Sequence, residues 1–309
     1  MRAIRQDIFG GPEVLKLVEA PDPDPIPTEV LVRVKAAGIN PVEEFIRDGR
    51  FPLLGQPPFT LGWDIAGVVE RVVPGVTRFA LGDEVFGMPF FPRAANGYAE
   101  LVAAPSRQLA RKPAKLTYEQ AGALPLAGLT AWQSLMDTAQ IKAGDRVLVH
   151  AAAGGVGHLA VQIAKARGAY VIGTASSAKH DFVRSLGADE VIDYRTTDFA
   201  QVTTDMDVVL ETVGGDYGER SLRTLRPGGL LVTIVGRTDV ELERKTRAAG
   251  MRFAGISVEP DYPALEALAD LAETGQLRVH VAQAFSLEEA PDAHRFLLTA
   301  PPGKVVLVP

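Results

Sequence analysis

The residues best suited to chemistry lie between 150 and 180. An apolar run, "RVLV", leads into Ala152-x-Gly154-Gly155-Val156-Gly157, and a helical pattern follows with Val156, Leu159, Ala160, Ile163 and Ala164 on one stripe. Positions without side chains let a backbone close on a pyrophosphate. The first turn of a helix offers that pyrophosphate unpaired N–H groups and a positive dipole end. A glycine turn alone is a weak signal, because any tight strand-to-helix connection favours glycine. Here strand, loop, helix and next strand follow in the order and length a dinucleotide-binding unit requires. Ala153, Gly154, Gly155, Val156 and Gly157 are the expected phosphate contacts. Ala152 stands where such loops usually carry their first glycine, a departure that a slightly wider turn would absorb.

The end of the next strand bears on which dinucleotide binds. In "YVIGTASSAKH" no carboxylate occurs between Tyr170 and Asp181. An NAD-binding unit would present a ribose-bonding acid near Ser176, 19 residues past Gly157. Ser176 and Ser177 offer hydroxyl donors instead, Lys179 adds a positive charge, and the following helix start adds N–H groups. That set suits the 2′-phosphate of NADPH. The plainer alternative is an N-cap serine followed by an exposed lysine.

These residues need elements to hold them. Up to about residue 110, short β-like runs ("EVLVRVKAAGIN", "DIAGVVERVVPG", "DEVFGM", "GYAELVAAP") alternate with Gly and Pro, predicting a partly open antiparallel barrel. A helix is predicted over "PVEEFIRDG", with Pro41 at its start and Gly49 past its end. The proline-rich "APDPDPIP" reads as a stiff turn between two early strands. From about residue 118 helices alternate with buried strands, the pattern of a doubly wound parallel sheet. Two amphipathic helices and a last strand, "GKVVLVP", close the chain.

Composition narrows the function. The chain has 309 residues, enough for two domains with a core each, and a formal charge of -6, which argues against nucleic acid or an anionic membrane as partner. Zero cysteine excludes disulfides, thiolate nucleophiles, iron–sulfur clusters and cysteine-based zinc sites. His150, His158, His180, His280 and His294 show no metal-binding spacing and are expected at the surface or at helix ends. The N-terminus lacks an apolar signal region, and "AGALPLAGLTAW" is too short and broken to span a bilayer. A cytoplasmic protein is expected.

The chain as a whole resembles the zinc-free, quinone oxidoreductase (zeta-crystallin-like) branch of the medium-chain dehydrogenases/reductases. The motifs that carry this are "AAGINPVEEFIRDG", "LGWDIAGVV", "GYAELV", "LPLAGLTAWQSL", "DRVLVHAAAGGVGHLAVQIAKARGA", "SLGADEVIDYR" and "GKVVL". The resemblance implies an α/β protein, a Rossmann parallel sheet plus a GroES-like β-barrel catalytic domain. It divides the chain into 1–120, completed by 259–309, and an NADP(H)-binding domain over 121–258. The "GKVVL" strand would return to the first domain.

In zinc-dependent relatives a Cys stands where this chain has Asn40 and a His where it has Trp63, so both metal ligands are absent. Without a Lewis acid, the expected acceptors take hydride readily: a quinone, or the C=C of an α,β-unsaturated carbonyl. Roles for Asn40, Thr130 and Tyr194 follow by family position, and those for Tyr98, Phe45 and Trp63 from residue type. Asn40 would donate its amide to the acceptor oxygen, or else cap a loop. Thr130 would touch the nicotinamide end, or else bond its own helix backbone. Tyr98 would deliver a proton, or else serve as a strand aromatic. Phe45 and Trp63 would wall the acceptor, or else pack in the core. Tyr194 would close over the 2′-phosphate, with Arg195 a weaker candidate. A homodimer is implied through edge strands near "GGLLVTIVG" and "FAGIS". Two alternatives stand beside the quinone or enone reductase: a tailoring enoyl reductase on a polyketide-like intermediate, and an NADP(H)-binding structural or sensor protein.

Overall fold

The computed structural model describes every residue from Met1 to Pro309. It divides into two compact units: Met1–Leu129 with Glu259–Gly275 and Val279–Pro309, and Thr130–Val258 with Gln276–Arg278. No helix is long and apolar enough to cross a membrane.

The first unit begins with an antiparallel pair, β1 (Arg2–Arg5) and β2 (Lys16–Glu19). The proline-rich stretch then leads to β3 (Glu29–Ile39), the long strand on which the unit is built. After α1 (Pro41–Arg47) come β4 (Asp64–Val72), β5 (Glu84–Gly87), β6 (Leu101–Pro105) and β7 (Leu109–Arg111). Along one edge β3 pairs with β4. On its other edge the first half pairs with β6, and the second half takes a strand from the far end of the chain. The helix α2 (Tyr118–Ala123) is capped by Thr117, whose side chain accepts from Gln120 N–H. It lies so close to β3 that a Cβ on Gly122 would sit 2.7 Å from Ala36 O. That packing onto β3 and β4 draws residues 121–129 into the first unit, past the expected boundary at 120.

The chain continues through α3 (Pro125–Trp132) and a wider π-helical turn to β8 (Arg146–Val149), α4 (Gly157–Ala166), β9 (Tyr170–Ala175), α5 (His180–Ser185) and β10 (Glu190–Asp193). It then forms α6 (Phe199–Val202), β11 (Met206–Glu211), α7 (Tyr217–Ser221), β12 (Leu225–Thr233), α8 (Val240–Ala248) and β13 (Arg252–Gly255). All six strands are parallel, in the order β10-β9-β8-β11-β12-β13. The order reverses between β8 and β11, and a ligand crevice of an open parallel sheet belongs at that point. Leu148, Ile172, Phe199, Val209 and Leu231 fill the core. Of the two stretches expected at the sheet edge, β12 is interior and only β13, from "FAGIS", is an outer strand.

The tail supplies α9 (Tyr262–Glu273), β14 (Val281–Ser286), α10 (Ala290–Leu297) and β15 (Lys304–Val308). β15 lies parallel to β14 and antiparallel to β3, pairing Val305 with Ile39 and Leu307 with Ala37. The last strand thus returns to the first unit, as the resemblance implied.

Candidate active site

The nucleotide loop sits where β8 ends, beside the point at which strand order reverses. Ala151 carries a φ of 47° and its amide donates to Thr174 Oγ1 on β9 at 3.3 Å. Ala152 N donates to Thr174 O at 2.9 Å. Two glycines make this path possible. A Cβ on Gly157 would meet Ala151 O at 2.2 Å, so only glycine lets the start of α4 close on the loop. A Cβ on Gly173 would lie 2.8 Å from the Ala152 methyl. The space for Ala152 is therefore made by the neighbouring strand, where the sequence reading looked to a wider turn. The amides of Gly155, Val156 and Gly157 donate to no acceptor within the chain, as at the open first turn of a helix.

α4 is held more deeply than a single apolar stripe requires. Leu159, Ala160, Val161, Ile163 and Ala164 are all fully buried. His158 is buried too, its Nδ1 2.9 Å from Gly154 O, which ties the helix to the loop. His150, also buried, sits between Thr174 Oγ1 at 3.1 Å and Ser221 Oγ at 2.9 Å, against the Phe199 and Tyr217 rings. Burial pushes its pKa down to about 3, so it holds the end of β8 as a neutral ring. With His294, three of the five histidines are buried rather than superficial. Each has polar partners within the chain, which is what makes burial tolerable.

At the end of β9 the backbone makes a single 3₁₀ turn, Ser177–Lys179, before α5. Ser176 stands before this turn in extended conformation with no side-chain cap bond, which leaves its hydroxyl available. Ser177 is exposed, Lys179 half-buried and Tyr194 exposed, the last with the Arg195 guanidinium 5.8 Å from its ring centre. The structure also brings an acid here. Asp193 Oδ2 accepts from Ser177 N–H at 3.3 Å, while Oδ1 accepts from Arg195 N–H at 3.0 Å. The Arg195 amide, with smaller help from Ser177, holds the Asp193 carboxyl below the usual range, so it is charged.

A second polar cluster is buried in the first unit. Asn40 follows β3 and precedes α1, and its backbone N–H donates to Glu43 Oε2 at 2.8 Å. Asn40 Nδ2 donates to Asp64 Oδ2 at 2.9 Å, and Asn40 Oδ1 accepts from Lys304 Nζ at 2.5 Å. Lys304, the first residue of β15, also donates to Ile39 O at 2.9 Å and reaches Asp64 Oδ2 at 3.4 Å. Those contacts use all three ammonium protons. Asp64 Oδ1 accepts from Leu126 N–H at 2.7 Å. The Asn40 amide is thus oriented by a cation on its oxygen and an anion on its nitrogen, leaving one Nδ2 hydrogen unassigned.

From Glu43 the cluster runs on. Tyr98 donates its hydroxyl proton to Glu43 Oε2 at 2.5 Å, His294 Nε2 lies 3.2 Å from Tyr98 Oη, and Arg47 Nη1 lies 2.7 Å from His294 Nδ1. Arginine only donates, so Nδ1 is the acceptor and Nε2 carries the hydrogen toward Tyr98. Burial, then the nearby Arg47, pushes the His294 pKa down to about 3, in keeping with that neutral ring.

These contacts bear on the two readings open for Tyr98 and for Trp63. Tyr98 is fully buried with its only hydroxyl proton on Glu43, so it is a network member rather than a proton donor to an acceptor. Trp63 is fully buried too, its indole N–H on Arg93 O at 2.7 Å and its ring edge-on to Phe91, so it packs the core. Asn40 retains 2% exposure and Thr130, on α3, 5%. Phe45 is 41% exposed, with the Arg50 guanidinium 4.3 Å from its ring centre. Sequence reading missed Asp64, Lys304, Glu43 and Asp193. The first two stood inside quoted motifs, "GWD" and "GKVVL", where a buried charge on a strand end was the available signal.

The fold and the loop together define a medium-chain dehydrogenase, a GroES-like unit with a nucleotide-binding parallel sheet. Residues 26–114 match the alcohol dehydrogenase GroES-like domain, and residues 186–307 match the zinc-binding dehydrogenase family. The chain is 38% identical to the quinone oxidoreductase of Coxiella burnetii, covering 100% of this chain and 99% of that one, with a TM-score of 0.94. It is 33% identical to the Escherichia coli quinone oxidoreductase complexed with NADPH, covering all of both chains with a TM-score of 0.90. It is also 40% identical to a segment of the spectinabilin polyketide synthase system protein NorB of Streptomyces orinoci, over 96% of this chain and 14% of that protein. The chain belongs to the quinone oxidoreductase family.

The zinc named by one of those family models does not fit the donors present. No three His, Cys, Asp or Glu side chains gather where they could hold a metal ion. The amide oxygen of Asn40 already faces the Lys304 ammonium, and the Trp63 indole nitrogen has no lone pair to give.

Burial pushes the Glu43 carboxyl up to about 8, opposed only in part by Tyr98 and the Asn40 amide. The folded state thus favours the protonated form, whereas an unfolded glutamate titrates near about 4.3. The associated stability is complete below the unfolded value and is lost as pH rises through about 8. Glu43→Gln, which imitates the protonated acid, should gain on the wild type by on the order of a few kcal/mol between about pH 5 and about pH 9. Urea unfolding across that range reads the difference; parallel pH profiles would rule out a buried neutral acid.

Proposed function

We propose that the protein is an NADPH-dependent reductase that passes hydride to a quinone or to the β-carbon of an α,β-unsaturated carbonyl, without zinc. The observation that carries this reading is the Lys304–Asn40–Asp64 chain. A lysine ammonium is bonded to the side chain at one lost ligand position, where it would repel a divalent cation, while the nucleotide cradle on α4 is intact. Bound NADPH supplies the hydride from nicotinamide C4.

The chain's own residues bind, orient and stabilise. The amides of Gly155, Val156 and Gly157, with Ala153 and Gly154 beside them, hold the pyrophosphate. Thr130 meets the nicotinamide end. Ser176, Ser177, Lys179 and Tyr194 receive the 2′-phosphate. Asn40 offers its unassigned Nδ2 hydrogen to the acceptor oxygen as negative charge develops there, and Lys304 and Asp64 keep the amide from turning. Phe45 offers an apolar face. With Tyr98 committed to Glu43, solvent protonates the enolate or hydroquinone anion. A second reading, a tailoring enoyl reductase on a polyketide-like intermediate, is favoured by the similarity to NorB and uses the same chemistry. β13, an outer strand half-open to solvent, suits a homodimer joined through the parallel sheets.

The purified protein should reduce quinones or enones at the expense of NADPH, keep that activity after chelation, and oxidise simple alcohols slowly. Faster alcohol oxidation, or turnover abolished by chelation and restored by zinc, would overturn the assignment. Failure to reduce any acceptor would point to a binding or sensor role. Asn40→Ala should lower kcat by about a hundredfold if its amide serves the oxyanion, and an unchanged rate removes it from the mechanism.

Preference for NADPH over NADH in kcat/KM should be at least about tenfold, and Lys179→Ala should narrow it mainly through the KM for NADPH. Equal use of both cofactors by the wild type would count against the phosphate pocket. Light scattering at micromolar concentration should give twice the chain mass; a 33.0 kDa species would refute the dimer.

A further inference from the structure

We propose that Asp193 is a specificity-determining residue of the nucleotide site, holding a carboxylate against the turn that receives the adenosine 2′ group and so limiting the preference for NADPH. The inference rests on the reading that Ser176–Lys179 forms that turn.

Placement comes from the parallel register of the sheet. Asp193 pairs with Ala175, so the last residue of β10 stands level with the last residue of β9, one residue before Ser176. The acid missing from the second strand is supplied by the third. Its two oxygens are engaged differently. Oδ1 makes a local turn with Arg195 N–H, two residues away, and that contact alone would be ordinary loop chemistry. Oδ2 reaches across 16 residues of sequence to Ser177 N–H, an amide of the turn itself. A phosphate oxygen arriving at Ser177 meets a donor already facing an anion, and a carboxylate charge beside it.

Attraction remains, because Lys179 lies on the same turn and Arg195 on the next loop. The ends of the two strands thus bring together two cations and the Asp193 carboxylate. A 2′-phosphate with nearly two negative charges feels Asp193 more than a 2′-hydroxyl does. A hydroxyl can even donate to it. Discrimination is therefore a difference between the attraction of the cations and the repulsion of Asp193, with the acid working against NADPH and not against NADH.

Asp193→Asn keeps an oxygen for the Arg195 amide and removes the charge. The ratio of kcat/KM for NADPH to that for NADH should rise by about tenfold, a size set by a charge a few ångströms from the phosphate in a solvated site. In direct binding, affinity for adenosine 2′,5′-bisphosphate should rise by a similar factor while that for adenosine 5′-monophosphate changes by less than about twofold. The gain should shrink in added salt, as expected for exposed charges. Asp193→Ala, which also removes the Arg195 bond, should shift both measurements the same way. A ratio and a bisphosphate affinity that stay flat or fall in both variants would overturn the proposal. Its failure is separable from failure of the NADPH reading. If the wild type prefers NADH yet Asp193→Asn raises the ratio, Asp193 governs specificity and the cofactor assignment is wrong. If Lys179→Ala narrows a real NADPH preference while Asp193→Asn leaves it unchanged, the pocket stands and Asp193 has no part in it.

Discussion

A lysine ammonium with 3% side-chain exposure is the constraint on which the first unit depends. Moving such a charge out of water costs several kcal/mol unless hydrogen bonds and an opposite charge replace the solvent. Lys304 has all three replacements: Ile39 O, Asn40 Oδ1 and the Asp64 carboxylate. Ile39 and Asn40 are consecutive residues between β3 and α1, and Asp64 starts β4. Those stretches can satisfy the ammonium together only when β15 lies against β3 in its observed register. Displaced by one residue, β15 would turn Lys304 to the other face and leave Asp64 as an unpaired buried anion. The register of the terminal strand and the orientation of the Asn40 amide are thus fixed by the same contacts.

The second unit solves a different problem with different means. It must bring backbone close to a ligand, so its key positions are defined by missing atoms. Gly157 lets α4 start against Ala151, and Gly173 makes room for the Ala152 methyl. Polar groups near the loop are neutral and internally paired, as with His150 between Thr174 and Ser221 and His158 on Gly154 O. Unpaired capacity is concentrated at the amides of Gly155 to Gly157. In one unit charges are buried among internal partners with one Asn40 Nδ2 hydrogen left over; in the other, backbone donors are left open. That division matches a protein whose cofactor brings the reactive hydride and whose remaining task is to orient and stabilise.

Local pattern made much of this legible. The strand–loop–helix–strand unit around Gly157 could be read because backbone approach demands glycine at fixed spacing. The helix after Asn40 could be read because Pro41 and Gly49 bracket it. The return of β15 to β3 came only with the family resemblance, since no local pattern specifies a partner more than 260 residues away. β14 was missed because "VAQAFS" is half-exposed along its length and has no clean alternation. α8 was missed because "VELERKTRA" is mostly charged and buries only Leu242 and Thr246. For Tyr98 and Trp63 residue type leaves substrate and core roles both open, because aromatic rings with one polar atom suit cores when that atom finds a partner. Both found one, in Glu43 and Arg93 O.

The nucleotide pocket shows why a search along one strand is incomplete. A parallel sheet places the C-terminal ends of adjacent strands side by side, so the group at the end of β9 shares its space with the group at the end of β10. Reading "YVIGTASSAKH" alone gives a turn of hydroxyls and a lysine. Reading it beside "EVIDYR" gives the same turn with a carboxylate bonded to one of its amides. Because the strands are parallel and in register, Asp193 stands about one inter-strand spacing, roughly 5 Å, from Ala175, although 18 residues separate them in sequence. A charge one strand away still acts on a ligand held at the end of β9, though less strongly than one on that strand itself. Cofactor preference in such a fold is therefore a property of the strand pair, and a missing acid on the second strand has meaning only once the third has been inspected.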